Sequence, residues 1–333
     1  MEHAVIRSDL KKRDIHPQAL LDKYLLLLRK DIKKMLGIES LQHESCPVTS
    51  EKGVRLSFSK MGMQYNVSKT FGNIYLSPRP KMETLIAFYR ESSARKFWLT
   101  EIWPKTRVMR EEKIINQQME WVRGFISQYC NERKLSVAEY FPNHWGYLLH
   151  ARSLWAEIDY KLIDPLFNLD ITLGEVSASD INDNTVSNKL DAVLLFETLD
   201  RSVNPMDILT KVNNMLKPGG LCFITCHLSS GFEIQVLGQN SELFVPPERM
   251  NILSFEGMNA LIDKLSDFES LEFSTPGVLD IANVQRKLDE IDGENFLQYI
   301  LKQRHDQSLI SSFQDFLQAN CLGTFGRLVL IKT

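Results

Sequence analysis

The 333-residue chain contains no run of about 18 uncharged apolar residues, so no membrane-crossing helix is expected. Its opening, MEHAVIRSDLKKRD, lacks an apolar segment, so no secretory signal is expected and the protein is read as cytoplasmic. Cysteine is scarce: Cys46, Cys130, Cys222, Cys226 and Cys321 form an odd, scattered set that argues against a disulfide framework and fits reduced thiols. Cys222 and Cys226 share one side of the strand-like run LCFITC and are read as small buried apolar residues. Internal repeats and low-complexity tracts are absent from the sequence. Hydrophobic residues at 44% and charged residues at 24% describe an ordinary globular protein. The length suits about two domains and a core that needs no staples.

A formal net charge of −3 conceals an asymmetry. Residues 1–150 carry 25 Lys and Arg against 16 Asp and Glu, whereas 151–333 carry 14 against 26. The surplus lies in 52–110, with 12 basic and 3 acidic residues interleaved with aromatics such as Tyr65, Tyr89, Trp98 and Trp103. This stretch is read as docking on the acidic C-terminal half; an anionic ligand, such as a phosphorylated sugar, is the alternative. Nucleic acid is disfavoured, because the basic residues form no dense stripe and the pI is about 6.2.

Leu20, Leu21, Leu25, Leu28, Ile32 and Leu36 recur at helical spacing, which predicts an amphipathic helix over 16–36. Such a helix suits either a homodimer contact or packing on its own chain. Residues 46–80 show short β-type runs (VRLSF, QYNV, NIYL) closed by Ser77-Pro78-Arg79-Pro80. A helical pattern covers 81 to about 130, with a break expected at Trp103-Pro104. The second half alternates. Strands are expected over 136–140, 160–163, 171–176, 191–196, 221–226 and 328–331, and helices over 205–216 and 254–265. Alternation with short connections predicts an α/β fold, a Rossmann-like doubly wound and mostly parallel sheet. The segments are an N-terminal helical extension (1–43), a small β module (44–80), a helical linker (81–110) and the Rossmann-like domain (111–333).

The segment 190–226, LDAVLLFETLDRSVNPMDILTKVNNMLKPGGLCFITC, opens a strand with Asp191 and closes a helix with Lys217-Pro218-Gly219-Gly220. It resembles the half of class I S-adenosylmethionine-dependent methyltransferases that follows the first cofactor loop. Cys46-Pro47 through Ser77-Pro78-Arg79-Pro80 is similar to the N-terminal module of a bacterial group of these enzymes, often tied to surface-polysaccharide or nucleotide-sugar modification. In that group paired cysteine knuckles hold zinc. The stretches FYRESSARKFWLTEIWPKTRVMREEKI, Pro246-Pro247-Glu248-Arg249 and Ser274-Thr275-Pro276-Gly277 resemble the same group, so the likeness spans roughly 44–333.

Two departures stand out. Cys46-Pro47-Val48-Thr49 keeps one knuckle thiol and Ser68-Lys69-Thr70-Phe71 none; with His43 the nearest further ligand, no zinc is expected. The glycine-rich cofactor loop is replaced by Glu139-Tyr140-Phe141-Pro142-Asn143-His144-Trp145-Gly146, whose bulky side chains would fill a methionine pocket. The resemblance implies S-adenosylmethionine as cofactor, with Glu139, Asn143 and Gly146 at the loop. It also implies a ribose-binding carboxylate at Asp164, where a helix-starting Asp-Pro turn is the other reading. Glu175 or Asp180 would face adenine. Catalytic candidates are His227 and Glu197, with Asp200 and Glu248 nearby; His227 is otherwise a solvated loop histidine. Arg201 and Arg249 each stand where the resembled family has histidine. The expected function is methyl transfer to a sugar, nucleotide-sugar or related anionic metabolite. The alternative is a fold that has lost its cofactor and serves as a partner or scaffold subunit.

Overall fold

The computed structural model describes residues 5–130, 134–155, 157–165, 189–290, 296–304 and 306–333. The expected strand over 171–176, with Glu175 and Asp180, lies outside the described residues. The first amphipathic pattern forms the helix Gln18–Met35. Its Tyr24, Leu28 and Ile32 are buried in the chain's own core. Buried Asp31 fixes its seating by accepting from Ser92 Oγ and the Ala94 amide, both at 2.8 Å.

The short runs that follow become β1 (Leu41–Gln42), β2 (Val54–Lys60), β3 (Met63–Ser68), β4 (Ile74–Leu76) and β5 (Arg79–Pro80). β1 pairs with β5. β2, β3 and β4 form an antiparallel sheet completed by β10 (Asn251–Ile252), so a distant segment of the chain closes the small sheet. At the positions of the resembled knuckles, hydrogen bonds do the stapling. The Asn73 amide donates to Ser68 Oγ at 2.9 Å, and Asn73 Nδ2 reaches Cys46 Sγ at 3.6 Å. Asn73 Oδ1 accepts from the Ser254 amide at 2.9 Å, tying the turn to the second half of the chain. Asn73 is fully buried, so Asn73→Ala strands the Ser254 amide and opens a small cavity. A loss of about 2–4 kcal/mol is expected, read from the urea midpoint at unchanged m-value.

The helical stretch runs as Met82–Glu91, Ser93–Phe97, Trp103–Arg110 and Asn116–Tyr129. The break expected at Trp103-Pro104 falls instead at Ser92, whose extended backbone caps the next turn through Ser92 Oγ and the Arg95 amide. The wide π-helical turn Trp98–Ile102 leads into Pro104 at the start of the next helix, where its missing N–H costs little.

The apolar runs of the second half assemble one sheet. They are β6 (Leu135–Tyr140), β7 (Ile158–Ile163), β8 (Leu190–Phe196), β9 (Leu216–His227), β11 (Phe268–Ser274) and β12 (Phe325–Lys332). The order is β11-β12-β9-β8-β6-β7. β7, β6, β8 and β9 are parallel, and β12 is antiparallel to both β9 and β11. The C-terminal strand, expected over 328–331, inserts between β9 and β11, a strand the sequence pattern does not predict. β11 carries no distinctive sequence signal, because FESLEFS alternates on a half-exposed edge with no apolar run.

Period-two alternation sends Val193 and Leu195 to one face, with the small sheet and the first helix. Ala192, Leu194 and Phe196 go to the other, with Trp121 and Leu148. The Lys217-Pro218-Gly219-Gly220 turn lies inside β9 as a bulge: Leu190 pairs Leu216 while Ala192 pairs Leu221. Gly219 has φ +77°, and a Cβ on Gly220 would sit 2.9 Å from the Lys217 carbonyl oxygen, so both positions require glycine. Asp191 braces this end by accepting from Lys217 Nζ and the Ser136 amide, both at 2.8 Å. Asn204 Oδ1 caps the helix Pro205–Met215, with Pro205 at its first position. A parallel sheet with one antiparallel strand next to its edge is the Rossmann-like arrangement of class I methyltransferases. No helix among the described residues is long and apolar enough to cross a membrane.

Candidate active site

β6 has β7 on one side and β8 on the other, so the chain reverses its direction of winding there. The loops leaving the carboxyl ends of β6 and β8 therefore diverge, and such a crevice is where open α/β sheets bind ligands. Glu197 follows β8, His227 ends β9, Asp164 follows β7 and Phe141 follows β6.

Glu197 is in the left-handed region at φ 54°, and its amide donates to the Thr225 carbonyl at 2.8 Å. Its carboxylate accepts from Arg249 Nη2 at 2.9 Å. Burial pushes the Glu197 pKa upward, but Arg249, His227, Arg201 and Arg110 outweigh it and hold the carboxyl at about 2. One turn on, Asp200 Oδ2 lies 2.8 Å from His227 Nδ1 and also accepts from the His227 amide at 3.1 Å. Burial raises the Asp200 carboxyl and the hydrogen bond from His227 opposes that rise. A carboxylate on Nδ1–H orients the ring and leaves Nε2 to exchange protons. The residues Glu197, Asp200 and His227 offer donor atoms within 4.8 Å of one another. The guanidinium on Glu197 and the further arginines nearby disfavour a cation there, so the cluster reads as a charge-paired proton site.

The loop after β6 is packed rather than bare. Phe141 has φ 52°, so its backbone takes a conformation that favours glycine while its ring is 2% exposed. The Arg201 guanidinium lies 4.2 Å over that ring and donates to the Phe141 carbonyl at 2.7 Å. His144 stacks on Trp103 at 4.1 Å and on Tyr147 at 5.2 Å, and burial pushes its pKa well below the usual value, so it is neutral. A Cβ on Gly146 would come within 2.7 Å of Trp103 and Ile115, so this glycine admits protein side chains closely. The Asn143 carbonyl accepts from Arg95.

Glu139 lies within the sheet, where its carboxyl accepts from the Tyr160 hydroxyl at 3.1 Å and burial raises its pKa to about 8. Glu197 and His227 thus meet around Asp200, and Asn143 and Gly146 share the β6 loop. Glu139 faces Tyr160, and Asp164 is buried at the end of β7.

Sequence reading missed Arg95, Arg110 and His16. Arg95 and Arg110 stand over the Trp98 ring at 4.9 and 5.6 Å. Burial lowers the His16 pKa to about 3, helped by Arg110, Lys12 and Arg249 and opposed by Glu197. The signal for the arginines was the basic, aromatic 52–110 stretch. It does pack on the C-terminal half, with Tyr65 Oη donating to the Arg249 carbonyl at 2.6 Å.

S-adenosylmethionine, the cofactor that the sequence resemblance implies, would meet two environments here. Asp164 at the end of β7 supplies the carboxylate that suits ribose hydroxyls. Beyond β6, the ground a methionine chain would take holds Phe141, His144 and Trp145, each under 9% exposed. A carboxylate thus stands where ribose would sit, and side chains line the loop beside which methionine would pass.

No family model matches the chain, and no curated protein matches it. Among solved structures it is similar to Haemonchus contortus phosphoethanolamine N-methyltransferase 2, in complex with phosphomonomethylethanolamine and S-adenosylhomocysteine. The identity is 13%, with 84% of this chain and 71% of that one covered at a TM-score of 0.44. A Thermotoga maritima S-adenosylmethionine-dependent methyltransferase is 14% identical over 76% of this chain and 99% of its own, TM-score 0.42. Coclaurine N-methyltransferase, bound to N-methylheliamine and S-adenosylhomocysteine, is 12% identical over 65% and 70%, TM-score 0.40.

Proposed function

We propose that the chain is a divergent S-adenosylmethionine-dependent methyltransferase acting on an anionic metabolite of the sugar-phosphate or nucleotide-sugar class. The observation that carries this reading is the Asp200–His227 pair beside the β6/β8 switch point of a methyltransferase fold. When bound, the cofactor supplies an electrophilic methyl group. The chain's own residues handle the acceptor. His227 Nε2 takes the proton that the attacking hydroxyl or amine must lose, and Asp200 holds the ring in register. The Glu197–Arg249 pair fixes the rim, and the half-buried setting excludes water so that alignment does much of the work.

A second reading has an observation of its own. Arg201 over the Phe141 ring favours a methyltransferase-fold protein without cofactor that acts as a partner or scaffold. Incubation with methyl-labelled S-adenosylmethionine and a panel of sugar phosphates and nucleotide sugars separates the two. Label recovered in an acidic small molecule supports methyl transfer. Protein that binds the cofactor yet labels none of the panel overturns the acceptor class, and protein that does not bind it favours the second reading.

A further inference from the structure

Two buried arginines of the crevice make no close ion pair among the described residues. Arg95 and Arg201 are 4% and 3% exposed. Arg201 spends Nε on the Glu197 carbonyl at 3.1 Å and Nη2 on the Phe141 carbonyl, and its Nη1 has no partner. Arg95 donates to the Asn143 carbonyl, two residues further along the same loop, and its Nε has no partner. Among the described residues, half-buried Arg110 donates to Thr106 Oγ1 and the Ile15 carbonyl. Arg249 pairs with Glu197 through Nη2 while its Nε is unpartnered. Among the described residues, Arg95, Arg110 and Arg201 have no carboxylate within 4.0 Å.

Carbonyl oxygens satisfy hydrogen-bonding donors, and the carboxylates that act on these four guanidinium groups, Glu197, Asp200 and Glu248, are fewer than the arginines, so positive charge is left in surplus. Burying a cation in that state is costly, and placing a second beside it costs more. Arg95 and Arg110 stand over one indole, that of Trp98, and Arg95 and Arg201 brace one loop, so the charges converge. Three guanidinium nitrogens without partners, from Arg95, Arg201 and Arg249, match a group with several charged oxygens, and Arg110 adds its charge beside them. A carboxylate, with two oxygens, is satisfied by a single arginine fork.

We propose that Arg95, Arg201, Arg110 and Arg249 form a binding site for a phosphoryl group, with the first two as its floor and the last two as its rim. This deepens the anionic-ligand part of the proposed function and rests on that reading, but it does not depend on methyl transfer. The phosphoryl group would anchor the ligand beside His227 and would offset the surplus positive charge.

The test is calorimetric titration of the full chain with inorganic phosphate, pyrophosphate and acetate at matched ionic strength. Wild type is expected to bind phosphate and pyrophosphate saturably and acetate far more weakly. Arg110→Gln, with its fold checked by the unfolding midpoint, is expected to weaken phosphate by about tenfold or more. Arg110→Lys, which keeps the charge without the fork, is expected to fall between. Arg123→Gln, on an exposed helix face outside the crevice, is expected to match wild type. Absence of saturable phosphate binding overturns the proposal, as does equal binding by Arg110→Gln and Arg123→Gln, or acetate as tight as phosphate. The same variants titrated with S-adenosylmethionine separate this from the methyltransferase reading. Phosphate bound without the cofactor removes methyl transfer and leaves the anion site standing; the cofactor bound without phosphate does the reverse.

Discussion

His227→Ala is expected to lower methyl transfer by about 10²- to 10⁴-fold while leaving cofactor binding unchanged. The argument is geometric. Asp200 is 2% exposed and holds Nδ1 of His227 at 2.8 Å, so the imidazole has one orientation and Nε2 as its only exchangeable face. Asp200→Asn keeps the shape but can present an N–H to Nδ1, which turns the ring to the wrong tautomer, and it is expected to lose rate comparably. The check is initial rates across pH with cofactor affinity measured on the same preparations. A full rate in His227→Ala would make the pair a structural brace on β9.

Glu139→Gln is expected to stabilise the protein at neutral pH by about 3 kcal/mol. Glu139 is 2% exposed, and burial raises its carboxyl to about 8, partly offset by the Tyr160 hydroxyl and Arg201. In the unfolded chain the group ionises near 4.5, so between that pH and about 8 the folded state binds the extra proton. Stability therefore falls as pH rises through this window, fully retained below about 4.5 and lost progressively up to about 8. Glutamine removes the titration and should flatten this part of the profile. Unfolding midpoints at pH 5 and pH 7.5 for both proteins measure it; parallel profiles would show that Glu139 is ionised in the fold.

The alternation of strand and helix in 190–226 was legible because burial of β8 and β9 on both faces leaves uninterrupted apolar runs. The helices beginning at Pro205 and after Ser254 were legible from their apolar spacing, and the structure adds the local hydrogen bonds that cap them. β11 was not, since an edge strand of alternating Glu and apolar residues has no distinctive run. The Asp200–His227 contact joins residues 27 apart on adjacent strand ends, and only the β8–β9 pairing brings them together. Arg95 and Arg110 were visible as excess charge in 52–110, but no spacing rule shows that two helices deliver them to the β6 loop. The Phe141 anomaly was readable as a missing glycine; its left-handed backbone and the arginine above it came only with the structure.

The most direct measurement is calorimetric titration of the purified full chain with S-adenosylmethionine and S-adenosylhomocysteine. The account predicts micromolar binding of both, weakened about tenfold or more by Asp164→Ala through lost hydrogen bonds to the ribose. No heat with either ligand, from protein shown to be folded, would mean that Phe141, His144 and Trp145 exclude the cofactor, and the methyltransferase reading would fall.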